Sequence, residues 1–99
     1  MADRNIFPPT FAHSNLAANA TTVVKSGSGI LHSITINNAG ASSNTCTVYD
    51  NTAASGTVIA TIDTVELNGR TLLYDVRFAT GLTIVIGTGT AADITVAYA

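Results

Sequence analysis

Charge is what this sequence has least of: charged residues make up 10% of it, against about 25% in ordinary globular proteins. Its fixed cations are Arg4, Lys25, Arg70 and Arg77, and the formal net charge is -2. That excludes the basic stripe needed to hold phosphates, and with it nucleic acid as a partner. Cysteine is nearly absent too. Cys46 is the single thiol, so no disulfide within the chain can staple the fold and nothing calls for an oxidising compartment. Beside Val48 on an expected strand, it reads as a small hydrophobe. Tryptophan is missing and aromatics are 6% of the chain, so the core must be built from Val, Ile, Leu and Ala. No apolar run approaches the roughly 18 residues of a membrane span. Asp3 and Arg4 open the chain where a signal peptide would place its apolar region, so synthesis in a cytoplasm, with no membrane contact, is expected.

What is present is alternation. From about Asn19 onward, apolar and small polar residues succeed one another almost without a break, and Gly, Asn and Ser clusters punctuate them. At 99 residues the chain is one domain, since typical domains run to about 100–150. A domain of this size buries only about 60–70% of the surface its unfolded chain exposes, so modest stability is expected unless partners bury more.

The chain divides into an N-terminal arm, residues 1–18, and a β-domain, residues 19–99. The arm holds Pro8 and Pro9, which forbid a regular helix or a central strand there. It also holds two of the three phenylalanines, Phe7 and Phe11. A short helical turn capped by Ser14 fits residues 14–18. The spacing beyond the arm predicts seven strands, at 21–25, 30–37, 45–50, 58–66, 71–78, 82–86 and 94–98, with room for an eighth in the arm. An all-β fold follows, an antiparallel sandwich whose strands each bury one face.

Side chains of a strand alternate between faces, and the apolar sets fall on even numbers. They are Ile30, Ile34 and Ile36; Val58, Ala60 and Ile62; Leu72, Tyr74, Val76 and Phe78; Leu82, Ile84 and Ile86; Ile94, Val96 and Tyr98. His32 shares that inward phase. The phase also bears on Asn68 and Gly69: a three-residue loop with Gly69 left-handed would pair Glu66 with Arg70, Ile62 with Tyr74, Ala60 with Val76 and Val58 with Phe78. Gly27-Ser28-Gly29 and Gly87-Thr88-Gly89 read as two further hairpin turns. The spacing of Tyr49, Asp50, Ala54, Ser55, Gly56 and Ile59 recurs in Tyr74, Asp75, Ala79, Thr80, Gly81 and Ile84. In so Ala- and Thr-rich a chain, two strand ends entering Gly-containing turns explain it as well as a duplication does.

The motifs of catalysis fall short one by one. Ile62-Asp63-Thr64-Val65 has Val where an aspartic protease needs Gly to bring two carboxylates together, so Asp63 reads as a solvent-facing strand residue. His13, His32 and Cys46 are too few and too scattered for the three or four ligands of a zinc site. Neither Gly-Ser-Gly nor Gly-Thr-Gly extends to a nucleophile elbow or a phosphate loop. Asn19-Ala20-Thr21 is a glycosylation sequon, silent in a protein that is not secreted. No catalytic residue, no cofactor and no metal ligand is expected, and the chain does not read as an enzyme.

The surface suggests contact instead. Soluble β-proteins guard edge strands with Lys, Pro or inward charge, and Lys25 is almost the only such guard here. Phe7 and Phe11 must bury their rings somewhere. Three phrases, Gly29-Ile30-Leu31-His32-Ser33-Ile34-Thr35-Ile36-Asn37, Val48-Tyr49-Asp50-Asn51 and Ala91-Ala92-Asp93-Ile94-Thr95-Val96, resemble those of small virion proteins of tailed bacteriophages and prophages. The likeness runs from about Asn19 to the end, and the arm has no part in it. The resemblance implies a jelly-roll or similar sandwich serving as a capsid decoration, or cement, protein. Such a protein would sit on the capsid surface, contact the major capsid protein and associate with itself, with a trimer as the expected order. Ile6, Phe7 and Phe11 would anchor the arm at those contacts. The rival reading is a tail-tip, fibre or carbohydrate-binding module, for which Tyr49 is the one aromatic out of phase and free to stack on a sugar.

Overall fold

The computed structural model describes residues 10–99. Among them are eight strands and no helix: β1 (Ala12–Leu16), β2 (Thr21–Ser26), β3 (Gly29–Asn38), β4 (Thr45–Asp50), β5 (Thr57–Asp63), β6 (Thr71–Phe78), β7 (Gly81–Gly87) and β8 (Asp93–Tyr98). The runs of Val, Ile and Thr suit a pleated surface with one face buried, which is why the local pattern located seven of the eight. The expected helical turn at Ser14 is overturned. Ser14 and Leu16 are half-buried while His13 and Asn15 point to solvent, and β1 pairs with β8, Ser14 opposite Val96. A ready-made ladder of backbone groups on β8 satisfies more of this segment's own N–H and C=O groups than one helical turn could.

The strands form two antiparallel sheets of four, ordered β1-β8-β3-β6 and β2-β7-β4-β5. The pairs β1 with β8, β2 with β7, β3 with β6 and β4 with β5 describe one long ribbon folded at the β4–β5 hairpin. Pairing of β3 with β8 and of β4 with β7 completes the sheets. Every connection except β4 to β5 therefore crosses from one sheet to the other.

This order corrects three turns. Asn68-Gly69 does not close a hairpin, because β5 and β6 lie in different sheets: Ile62 sits opposite Cys46 and Val58 opposite Tyr49. Gly69 is left-handed as expected, with φ 76°. Its turn, closed by the Arg70 N–H donating to the Leu67 carbonyl at 3.0 Å, carries the chain between sheets. The Gly27-Ser28-Gly29 and Gly87-Thr88-Gly89 segments are likewise crossings. The recurring Tyr-Asp spacing also spans two different units, a hairpin within a sheet after β4 and a crossing after β6.

One core collects residues of both sheets: Leu31, Ile34, Ile36, Phe78, Ile94 and Val96 from the first, and Cys46, Val48, Ile62, Leu82, Ile84 and Ile86 from the second. The even phase holds across β6, β7 and β8. It breaks at two places. Ile30 is 41% exposed while Leu31 is fully buried, because the register of β3 shifts between Leu31 and Ser33. Val58 is 49% exposed and Ile59 packs on the core instead, because β5 carries an extra residue between Val58 and Ala60. Each inserted residue moves the following side chains to the other face.

Beside the shifts of the interior strand β3, bulges fall on the edges. Of the edge strands β1, β6, β2 and β5, β2 bulges at Val24, β5 at Ile59 and β6 at Tyr74-Asp75. A bulge twists an edge out of line for pairing with another chain. Three of the four edges are thus blunted by backbone geometry, a protection that charge counting overlooks, while β1, which has no charged residue, pairs with β8 without a register shift.

Candidate functional site

The bulge between β3 and β6 builds the most organised cluster on the outer surface. It sets Tyr74 and Asp75 opposite the single residue His32, and Asp75 takes φ 49°, a left-handed conformation that few non-glycine residues adopt. So placed, the Asp75 carboxylate meets the His32 imidazole, Oδ1 to Nδ1, at 2.5 Å. The Phe11 ring stacks on this imidazole, its centroid 4.2 Å from that of His32 and the planes 9° apart. His32 shares the inward phase in sequence but does not join the core: its side chain is hydrogen-bonded and 32% exposed, and that of Asp75 is 54% exposed. Register shift, not hydropathy, turned it away from the core.

Along the same pair of strands lie the exposed Leu73, Ile30 and Arg77. Ser28, Gly29, Ile30 and Arg77 line an open depression of about 160 Å³. Further along the sheet, the Asn15 and Asn37 side-chain amides both donate to Asp93 Oδ1, at 2.6 and 3.1 Å, and Asn37 also donates to Thr95 Oγ1 at 2.8 Å. Those two donors hold the Asp93 carboxyl below its ordinary range. Thr35 and Thr71 join their hydroxyls across β3 and β6 at 3.0 Å. The first sheet thus presents a polar, hydrogen-bonded field beside an apolar, aromatic one.

Chemically, an Asp–His pair can orient an imidazole and stabilise its cation, but acyl-transfer catalysis also needs a nucleophile and an oxyanion pocket. Cys46 does not supply one. It is fully buried in β4, and burial pushes its thiol up to about 12. Asp63 is exposed and its Oδ1 accepts the N–H groups of Val65 and Glu66, capping the turn after β5. Among the described residues no group of three or more His, Cys, Asp and Glu gathers in a way that could hold a metal ion. Of the three arm anchors, Ile6 and Phe7 lie outside the described residues, and Phe11 is half-buried against His32. Tyr49 is half-buried on β4.

Two polar hubs escaped the sequence reading. Asn44 is fully buried and its Oδ1 accepts from the Thr64 hydroxyl at 3.1 Å and the Ala92 N–H at 3.2 Å. Its amide donates to Asn19 Oδ1, Gly87 O and Thr88 O. Asn19 in turn donates to Gly89 O, which gives the sequon asparagine a structural task. The second hub is Asp50, whose carboxylate accepts the backbone N–H groups of Ala79, Thr80 and Gly81. Those bonds, led by Ala79 and Thr80, hold its carboxyl below the usual range. The recurring Tyr-Asp phrase flagged Asp50 as a strand end; nothing in the sequence marked its contact with a loop on β6–β7.

Compared with known proteins, the chain matches no family model, no curated protein and no solved structure.

Proposed function

We propose that this chain is a jelly-roll domain acting without catalysis as a structural protein of a tailed-phage virion, a head decoration protein that cements capsid subunits. The observation that carries the reading is the apolar field on the first sheet. Leu73 is 67% exposed and Ile30 41%, with Phe11 nearby on His32 at the root of the N-terminal arm. In a chain with so little charge, such side chains gain most by being covered by a neighbour. The strand order supports the fold: a ribbon pairing first strand with last and folded at its middle, divided into two four-stranded sheets, is the pattern of a double-sheet jelly roll, an architecture that recurs in capsid proteins. Fold alone assigns no role, so the capsid reading draws on the resemblance as well.

In this reading the protein associates with itself as a trimer and with the major capsid protein, burying apolar surface at subunit junctions, with Ile6, Phe7 and Phe11 as the arm's anchors. The test is co-sedimentation with purified capsids of the phage or prophage whose genome encodes the chain. Binding should fall sharply for Leu73→Asp and for a variant lacking residues 1–10. Undiminished capsid binding by both variants would sink the reading.

A further inference from the structure

Asn68-Gly69 is the single Asn-Gly step in the sequence. Gly69 has no side chain to hinder its neighbour, and an added Cβ there would meet nothing within 4 Å. Steric openness of that kind favours attack of the glycine nitrogen on the asparagine side chain. Yet the fold ties down both reacting groups. The Asn68 Oδ1 accepts the Ala39 N–H at 2.8 Å, fixing the side-chain amide toward the end of β3. The Gly69 N–H donates to the Ile36 carbonyl at 2.9 Å, so the nitrogen that must act as nucleophile is already engaged.

We propose that Asn68 is a latent self-modification site, a deamidation centre kept shut by the native fold. When the turn opens, a solvent base removes the Gly69 N–H proton and the nitrogen attacks Asn68 Cγ. The Gly69 N–Cγ bond forms, the Cγ–Nδ2 bond breaks, and ammonia leaves with a proton from solvent. Water then opens the five-membered imide at either carbonyl, giving aspartate or the iso-aspartyl linkage. No electron changes hands and water is the sole co-reactant. The first product adds a negative charge on the crossing from the second sheet to the first. The second also inserts a methylene into the backbone there and displaces the Gly69 N–H from Ile36.

The experiment follows the mass of the Asn68 peptide during incubation of the full chain at mildly alkaline pH, native and in denaturant. Because the step requires opening, native deamidation should be slower by about tenfold or more. Ala39→Pro removes the N–H that holds Asn68 Oδ1, and at the end of β3 the preceding Asn38 is already extended, as proline demands. That variant, checked for native circular dichroism, should deamidate faster than the parent under native conditions. Equal native and denatured rates in the parent chain overturn the proposal. So does a folded Ala39→Pro protein with the parent's native rate.

Discussion

The Thr64 hydroxyl donates to both the backbone carbonyl and the side-chain oxygen of Asn44, at 3.0 and 3.1 Å, and both residues are fully buried. This pair joins the start of β4 to the crossing that leaves β5. Asn44→Ala would strip partners from Thr64, Ala92 and Asn19 at once, and the expected loss is about 2–4 kcal/mol. Thr64→Val keeps the shape and removes one donor, for an expected loss of about 1–2 kcal/mol. Urea unfolding of both variants checks the order: Asn44→Ala must cost more.

Acid should expose the work of Asp50 and Asp93. Their carboxyls are held low in the folded chain by hydrogen bonds to the charged form, from Ala79 and Thr80 in one case and from Asn15 and Asn37 in the other. A depressed folded value means that the stabilisation is complete above the unfolded value of about 3.9 and is lost as pH falls through the folded one. The melting temperature of the parent should therefore drop as pH falls below about 4. In the Asp50→Asn, Asp93→Asn double variant, that drop should be shallower, starting from a lower plateau at neutral pH. Parallel curves would remove these two residues from the acid transition.

Cys46 should ignore thiol reagents while the protein is folded. Its thiol is buried and pushed up to about 12, so little thiolate exists at pH 8. Labelling kinetics across a denaturant series should then track global unfolding. Cys46→Ser places a hydroxyl among Val48, Ile62 and Ile86 neighbours of the core and should cost about 1–3 kcal/mol.

Backbone strain at Asp75 gives a substitution series with an unusual order. Its φ of 49° is easy for Gly, tolerable for Asn and hard for a β-branched residue. Asp75→Asn and Asp75→Gly should fold well, whereas Asp75→Val should lose about 1–3 kcal/mol relative to Asp75→Gly. All three lose the carboxylate that faces His32. Nuclear magnetic resonance of the Phe11 ring protons, shifted by the stacked imidazole, reads whether the Phe11–His32 contact survives that loss; it should weaken in each.

Much of the strand map was legible because period-two alternation is local. The β3, β4, β6 and β8 spans were placed to within a residue at either end. Pairing was another matter. Ile62 fits a core face equally well beside Tyr74 or beside Cys46, and only packing of the whole chain selects Cys46. The bulges did leave a trace. Apolar doublets at Val23-Val24, Ile30-Leu31, Val58-Ile59 and Leu72-Leu73 each lie at or beside a register shift, although the apolar run Ile84-Val85-Ile86 in β7 does not. Reading those doublets as phase breaks would have predicted Ile30 and Val58 outside. The Phe11–His32–Asp75 cluster was hidden for the same reason: it exists only once β1, β3 and β6 are neighbours in one sheet or across it. Asn44 carried no pattern at all.

Among the described residues, the β4–β5 hairpin is the one place where consecutive strands pair. Every other ladder waits on segments distant in sequence, with β1 and β8 meeting last from opposite ends of the chain. Loop-closure entropy must be met before those contacts repay it, which places folding in the slow, millisecond-to-second regime of non-local β topologies. It also makes the hairpin the natural nucleus. Substitutions between Thr45 and Asp63 should slow refolding, while those in β1 should mainly hasten unfolding.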